Sequence, residues 1–214
     1  QWYGDMQISE GCSWTQTSAL TLGGESGSTG RASFEAGGVL NSSGSVTVGG
    51  TGVGLMYFDG GRWTHTGSSL LLGDDVSGAG LISLEDGAAM NVSGSVFIGT
   101  GGIGILQAQG GCTLTFGGAN YFVLGFLDDS SGLCYLKSSE ADIEDWVILG
   151  GYGSGSIKLI DHAAMTTHDA VDLGRFGGSG EVVLSDSSTW NCLSDISMSG
   201  ASGSIEIGTN STLA

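Results

Sequence analysis

The sequence predicts an all-β fold, a single-stranded parallel β-helix (β-solenoid) with three short strands in each coil. Two series of glycine-flanked strands recur in step along the chain, at intervals of about 25 residues. Glycine accounts for 42 of the 214 residues and proline is absent, yet 40% of the residues are hydrophobic. Only 13% are charged, which is unlike a disordered chain. We therefore expect glycine turns around a packed core.

The first strand of each predicted coil opens with a glycine. These glycines lie 23 to 28 residues apart, at Gly4, Gly30, Gly54, Gly80, Gly104, Gly132, Gly155, Gly180 and Gly203. The residues after each glycine alternate with a period of two, which indicates strands rather than helices. A unit of this size cannot bury its apolar side alone, so eight to nine rungs, roughly 4.8 Å apart, would stack into one domain over residues 1–214.

Two further strands complete each coil. One series ends at a second glycine, as in SVTVGG and SVFIGT, and a weaker segment such as AMNVSG lies between the two. Alternation predicts inward side chains in the first strand at Met56/Phe58, Ile82/Leu84, Leu106/Ala108, Ile157/Leu159, Val182/Leu184 and Ile205/Ile207. It predicts them in the last strand at Val46/Val48, Leu70/Leu72, Val96/Ile98, Phe122/Leu124, Val147/Leu149 and Val171/Leu173.

The charge of the chain disfavours several classes of partner. The formal net charge is −17, from 22 acidic and 5 basic residues. Such a surface repels phosphate backbones and anionic lipid surfaces, so we expect neither nucleic acid nor membranes as partners. No apolar run is long enough to span a bilayer. The four cysteines, Cys12, Cys112, Cys134 and Cys192, are too scattered for a disulfide framework, and Cys134 and Cys192 are expected to face inward.

The repeat unit resembles the passenger repeats of bacterial autotransporters and related surface proteins. The clearest copy is GLISLEDGAAMNVSGSVFIGTGGIG, from Gly80 to Gly104, and the likeness extends over essentially the whole chain. The resemblance implies a right-handed β-helix located outside the cell or on the bacterial cell surface, used in adhesion, aggregation or surface coating. It also leaves open whether the chain is a processed passenger, a fragment, or a subunit that stacks on its neighbours.

Acidic residues and histidines form no strong candidate for catalysis or metal binding. Asp86, Asp161 and Asp186 occupy equivalent turns, and the doublets Asp74-Asp75 and Asp128-Asp129 lie in loops. His65, His162 and His168 could pair with Asp161 and Asp169, but no nucleophile motif accompanies them. Solvated turn residues are the simpler interpretation. We therefore expect no catalytic residue, no metal and no cofactor.

A stripe of outward-facing apolar residues is the best sequence candidate for a working surface. In the last strand of successive coils the central outward positions are Leu71, Phe97, Val123 and Ile148, with Tyr121 and Trp146 on the same face. Contiguous apolar surface of this kind marks partner contact, or else is covered by the loop near residues 117–121 or by an irregular rung there. Outward positions of the first strand, including Gln7, Ser33, Ser83, Gln107 and Lys158, predict a mostly polar first face, and the middle strand is predicted to be similarly polar.

The terminal rungs form a second candidate surface. Strands begin close to Gln1, and exposed end rungs carry unpaired backbone groups that can template another chain. End-to-end contacts that do not close would produce a filament. The residues predicted for such contacts are Trp2, Met6, Ile8, Ile205, Ile207 and Leu213.

Together these observations predict a structural solenoid rather than an enzyme. It would self-associate, as an end-to-end filament subunit, or act as an adhesive segment that binds other surface proteins or glycans. The alternative is a carbohydrate-active β-helix that binds glycans through Tyr57, Tyr135 and Trp146, or cleaves acidic polysaccharide. A fibre segment of a phage or a secreted toxin is a third, weaker hypothesis.

Overall fold

The computed structural model describes residues 3–118, 121–200 and 202–214. These residues form 26 β-strands, numbered here in chain order, and no α-helix. Every described strand pairing is parallel, and the strands make three sheets, A, B and C, because successive strands of one coil belong to different sheets. The β-solenoid with three strands per coil is therefore confirmed.

Sheet A has nine strands and defines the rungs, which we number 1 to 9 from the amino-terminal end. Its strands are β1 (Tyr3–Ile8), β4 (Thr29–Phe34), β7 (Val53–Asp59), β10 (Ala79–Glu85), β13 (Ile103–Gln109), β16 (Ser131–Lys137), β19 (Ser154–Ile160), β22 (Ser179–Leu184) and β25 (Ser202–Ile207). The rung spacing of the sequence is thereby reproduced.

Sheet B also has nine strands, and sheet C has eight. Sheet B comprises β2 (Ser13–Gln16), β5 (Val39–Ser42), β8 (Arg62–His65), β11 (Ala89–Val92), β14 (Thr113–Phe116), β17 (Glu140–Ile143), β20 (Ala164–Thr167), β23 (Thr189–Cys192) and β26 (Thr212–Leu213). Sheet C comprises β3 (Leu20–Leu22), β6 (Val46–Val48), β9 (Ser69–Leu72), β12 (Ser95–Ile98), β15 (Tyr121–Leu124), β18 (Trp146–Leu149), β21 (Val171–Leu173) and β24 (Ile196–Met198).

The aligned glycines of the sequence lie opposite one another on successive rungs. Gly54, Gly80 and Gly104, for example, are register partners in sheet A. At Gly80 a Cβ atom would lie 1.9 Å from the carbonyl oxygen of Val48, the last residue of β6 in sheet C. Only a residue without a side chain fits between the two sheets here.

The interior of the coil is a continuous apolar column. The predicted inward pairs of the inner rungs are all buried, among them Ile82 and Leu84 of sheet A and Val96 and Ile98 of sheet C. Aromatic rings stack along the column: the centroids of Phe34 and Phe58 are 4.6 Å apart. The solenoid is thus stabilised by burial between rungs rather than within one coil.

The four cysteines are free thiols. Cys112 and Cys134 are buried, Cys192 is half-buried and Cys12 is exposed. The inward orientation expected for Cys134 is confirmed, and burial raises the pKa of its thiol to about 12. Within the described ranges, no helix has the length and apolar character that a membrane-spanning segment requires.

Candidate functional site

The predicted outward stripe forms a row across sheet C. Leu71, Phe97, Val123 and Ile148 are register partners on four successive rungs. Tyr121 and Trp146 also pair with each other on neighbouring strands of the same face, with ring centroids 6.0 Å apart. The structure therefore brings all six predicted residues together on one sheet.

The centre of this row is not free to touch a partner. Val123 is only 2% exposed and Ile148 only 4%, although both point away from the core of the coil. The expected covering loop, residues 117–121, falls partly outside the described residues. The side chains found beside Val123 and Ile148 instead come from the turns after sheet C, and they are Phe126, Arg175 and Phe176. The predicted contact patch is thus the floor of a cleft rather than a flat surface.

This aromatic cleft has a volume of about 290 Å³. It is lined by Phe97, Tyr121, Val123, Phe126, Trp146, Ile148, Arg175 and Phe176. Its rim carries exposed rings: Tyr121 is 39% exposed and Phe176 is 51% exposed. Large apolar side chains that remain exposed around a concavity are typical of a contact site.

Arg175 holds one wall of the aromatic cleft in place. Its guanidinium lies over the ring of Trp146, 4.0 Å from the centroid, and 4.8 Å from that of Phe176. The same group donates a hydrogen bond to Oδ2 of Asp172, 3.0 Å away. Asp172 occupies the row position after Ile148, so this ion pair terminates the apolar row. The cation is neutralised within the chain, and the cleft presents mainly apolar surface.

Sequence reasoning missed Phe126, Arg175 and Phe176. The available signal was their position immediately after Gly125 and Gly174, the left-handed glycines that end strands of sheet C. Phe176 itself has a φ of 59° within a short 3-10 turn, Arg175–Gly177, and its ring stacks on Tyr152 at 5.2 Å. Aromatic residues in such turns indicate a contact with the sheet or with a partner.

The outer face of sheet A is mostly polar, but an apolar region interrupts it on rungs 3 to 6. The polar residues named from the sequence, Gln7, Ser33, Ser83, Gln107 and Lys158, belong to one outward row. The row after the glycines is apolar on rungs 3 to 6 and the row before them on rungs 3 to 5, and we call these residues the sheet A patch. Its members are Val53, Leu55, Ala79, Leu81, Ile103, Ile105 and Leu133. Val53 is 38% exposed and Ile103 is 55% exposed, so this patch is open to solvent.

A fourth outward row of sheet A is acidic on rungs 2 to 4. Glu35, Asp59 and Glu85 follow one another on rungs 2 to 4, where Asp59 and Glu85 are register partners. They lie along a polar groove of about 390 Å³ that also includes Arg31 and Tyr57. The Arg31 guanidinium lies 4.9 Å from the centroid of the Tyr57 ring. The outer face of sheet B, in contrast, is polar as predicted, with Asn91 and Thr115 as exposed register partners.

The end rungs expose side chains that are buried elsewhere. Met6 and Ile8 of rung 1, Ile205 of rung 9, and Leu213 of β26 are half-buried, and Ile207 is 48% exposed. Trp2 lies outside the described residues. The equivalent positions Ile82 and Leu84 of rung 4 are fully buried. A further rung, from continuing chain or from another molecule, would cover these residues.

The candidate acid–base residues do not converge on one site. His162 lies 3.2 Å from Asp161, whereas His168 lies 2.8 Å from Asp142 rather than beside Asp169. Hydrogen bonds from His162 and Ser138 lower the pKa of the Asp161 carboxyl. Asp86, Asp161 and Asp186 all have positive φ, which is the conformation of a tight turn. These aspartates occupy turn positions, because aspartate tolerates the left-handed backbone conformation.

The loop aspartates do not assemble a cation site. Burial, and then the charge of Asp75, raise the pKa of Asp74. The Asp75 carboxylate accepts a hydrogen bond from the backbone N–H of Val76. No group of three or more metal-ligating side chains is found in the part of the chain that the structure describes. Nor do the aromatic residues predicted for glycan binding meet, since Tyr57 and Tyr135 lie on sheet A and Trp146 on sheet C.

Comparison with known proteins gives no relative: no family model, no curated protein and no solved structure matches the chain. The surfaces described above are therefore the basis on which its function must be argued.

Proposed function

We propose that the chain is a structural, adhesive β-solenoid of an extracellular or cell-surface protein, and that the aromatic cleft of sheet C is its partner-contact site. The observation that carries this proposal is the exposure of Tyr121 and Phe176 around an apolar concavity. Neither ring is part of the hydrophobic core of the coil, so core packing does not explain why aromatic residues occupy these positions. A rigid rod with such a cleft is suited to contact rather than to turnover.

The composition of the aromatic cleft favours an apolar group of a protein over a sugar. Sugar sites need several hydrogen-bonding groups placed around an aromatic ring. Here the one cation, Arg175, is already paired with Asp172 and stacked on Trp146. An aromatic or branched aliphatic side chain would fill the cleft and bury the exposed rings. Because the chain carries a net charge of −17, basic residues beside that side chain would strengthen binding.

Selection from a randomised peptide library on the immobilised chain tests this assignment. The expected result is enrichment of peptides that carry an aromatic or aliphatic anchor flanked by lysine or arginine. Their binding should fall at least tenfold for the double variant Tyr121→Ser/Phe176→Ser, whose substitutions lie at exposed ring positions. Thr115→Ala, an exposed change on sheet B, is the matched control and should bind normally.

Two results would overturn the proposal. One is that no apolar peptide is enriched, or that the enriched peptides bind the double variant as well as the unchanged chain. The other is turnover of a polysaccharide when the chain is incubated with a panel of acidic and neutral glycans and calcium. The second result would favour the carbohydrate-active alternative, with the groove beside Tyr57 as the place to search.

End-to-end stacking is a second proposal, and it rests on the half-exposed apolar side chains of rungs 1 and 9. Unpaired backbone groups of β1 and β25 can add another rung, since neighbouring strands of a solenoid pair in parallel register. Electron microscopy over a concentration series should show rods that lengthen in steps of about 40 Å, the height of eight to nine rungs. Ile8→Lys and Ile207→Lys should keep the rods at unit length. Unit-length rods of the unchanged chain at every concentration would rule out stacking.

A further inference from the structure

The sheet A patch is an apolar surface that the fold itself does not use. Its residues point away from the core, and they occupy rungs 3 to 6 in two adjacent rows. One row holds Leu55, Leu81, Ile105 and Leu133, all of them half-buried. No other chain segment in the described ranges pairs with the outer face of sheet A. A contiguous apolar face of this extent indicates a partner surface.

Charges around the sheet A patch are distributed unequally along the solenoid. The acidic residues Glu35, Asp59 and Glu85 lie on rungs 2 to 4. Both lysines of the chain, Lys137 and Lys158, lie on rungs 6 and 7 of the same outer face. Neither lysine forms an ion pair among the described residues. Rungs 2 to 4 are thus net negative, with Arg31 as their one base, and rungs 6 and 7 are positive, whereas Glu181 and Glu206 on rungs 8 and 9 are acidic again.

We propose that the outer face of sheet A is the interface of an antiparallel homodimer, with a twofold axis parallel to the strands. This axis reverses the order of the rungs, so that rung 3 faces rung 6 and rung 4 faces rung 5. Each row of residues in one copy then lies opposite the same row of the second copy. Leu55 then packs on Leu133 of the second copy, and Leu81 packs on Ile105 of the second copy.

The flanking rows are complementary under the same axis. Asp59 on rung 3 faces Lys137 on rung 6 of the second copy, and by symmetry Lys137 faces Asp59. Tyr57 faces Tyr135 in the row between the charged and apolar rows. Lys158 on rung 7 faces Ser33 on rung 2, one row away from Glu35. A single operation therefore matches the row from Leu55 to Leu133 with itself and Lys137 with Asp59, which is the property of an isologous interface.

The face is large enough for a stable dimer. Six rungs at roughly 4.8 Å and seven residues at roughly 3.3 Å give a surface of about 29 Å by 23 Å, or about 670 Å² on each copy. The total, about 1,300 Å², lies within the range of specific interfaces. Asp5 and Glu181, which would face each other as like charges, lie on rungs 1 and 8 and fall outside these six rungs.

A second copy fits this face better than an unrelated protein does. An unrelated partner would have to supply its own apolar row and its own inverted charge pattern. This chain already carries both, in the correct order. The dimer rests on the proposal that the solenoid works by contact with other molecules, but it does not involve the aromatic cleft, which lies on sheet C.

Sedimentation velocity over a concentration series in dilute buffer is the first test, on the chain that carries Ile8→Lys and Ile207→Lys, so that end-to-end stacking does not add to the association. We expect a reversible monomer–dimer equilibrium. Leu81→Lys places a charge at the centre of the sheet A patch and should weaken the dimer at least a hundredfold. Thr115→Lys adds the same charge on sheet B and should leave the equilibrium unchanged. A chain that stays monomeric at all concentrations, or a dimer insensitive to Leu81→Lys, would overturn the proposal.

Charge reversal tests the antiparallel register itself. Asp59→Lys and Lys137→Asp should each weaken the dimer roughly tenfold, because each places like charges opposite one another at two symmetric positions. The double variant Asp59→Lys/Lys137→Asp should recover the original affinity. If the double variant does not recover the original dimer affinity, the two residues do not face each other and the proposed antiparallel register is refuted. Peptide selection on the aromatic cleft is scored separately, so failure of one proposal leaves the other testable.

Discussion

The indole Nε1 of Trp63 donates a hydrogen bond to Oγ of Ser42 on the preceding rung, 2.8 Å away inside the core. Oγ of Ser42 is also hydrogen-bonded to Nδ1 of His65, at 2.8 Å. At the other end of the solenoid Trp190 donates in the same way to Oγ1 of Thr167 on the preceding rung, at 3.1 Å. Both fully buried tryptophans thus donate to a hydroxyl of the preceding rung, which ties rungs together by polar contacts as well as by packing.

Replacing Ser42 by alanine should destabilise the fold by about 1–3 kcal/mol. The substitution leaves the Trp63 indole N–H buried without an acceptor, and that desolvation penalty is of this size. Denaturant unfolding followed by tryptophan fluorescence measures the difference. Ser43→Ala changes the exposed residue that directly follows this strand and should shift stability by less than about 0.5 kcal/mol. Equal effects of the two substitutions would refute the role of Ser42.

The same cluster should make stability depend on pH. His65 is fully buried, and desolvation lowers its pKa from the ordinary value of 6.5. Between the folded and unfolded pKa values the unfolded chain binds more protons at this residue, so stability must fall as the pH falls below about 6.5. The decline should continue until the lowered folded pKa is reached.

Thermal unfolding of His65→Phe between pH 7.5 and 5 measures this contribution. The variant lacks the titrating group, so its loss of stability on acidification should be smaller than that of the unchanged chain. His168→Gln alters an exposed histidine on the outer face of sheet B and should retain the full decline attributed to His65. The same acid sensitivity in His65→Phe would mean that carboxyl groups, rather than His65, cause it.

The sequence predicted the features that depend on residues close together in the chain. Glycine spacing and period-two alternation predicted the rungs, because each strand position of a solenoid repeats the environment of the one before it. The sheet A patch was equally readable, since Leu55, Leu81, Ile105 and Leu133 directly follow aligned glycines. It was overlooked because the next outward row is polar.

The aromatic cleft could not be predicted from the sequence in the same way. The apolar row of sheet C was visible, but whether it is open depends on the turns after the strands. Phe126, Arg175 and Phe176 lie in those turns, and their direction follows from local backbone geometry such as the positive φ of Gly125 and Phe176. Alternation carries no information about residues outside strands, so the burial of Val123 and Ile148 could not be predicted.

Thiol reactivity should separate the cysteines in the folded protein. Burial raises the pKa of Cys134 to about 12, so almost no thiolate forms there at pH 8, and burial also raises the pKa of Cys112 and disfavours its thiolate. Ellman's reagent should therefore modify Cys12 rapidly and the half-buried Cys192 more slowly. Cys112 and Cys134 should react only after denaturation. Cys12→Ser should abolish the rapid phase, and a rapid phase that persists in this variant would contradict the burial described here.

Substitution within the aligned glycines should be costly in the inner rungs and tolerated at rung 1. At Gly80 an added Cβ meets the backbone oxygen of Val48 at 1.9 Å, so Gly80→Ala must push sheet A away from sheet C, at a cost of about 3 kcal/mol or more. Gly4 occupies the same position in rung 1, where an added Cβ would meet nothing within 4 Å. Gly4→Ala is thus the matched control, and unfolding midpoints in urea compare the two. If both variants unfold at the same urea concentration, the close approach of the two sheets is not what requires glycine at these positions.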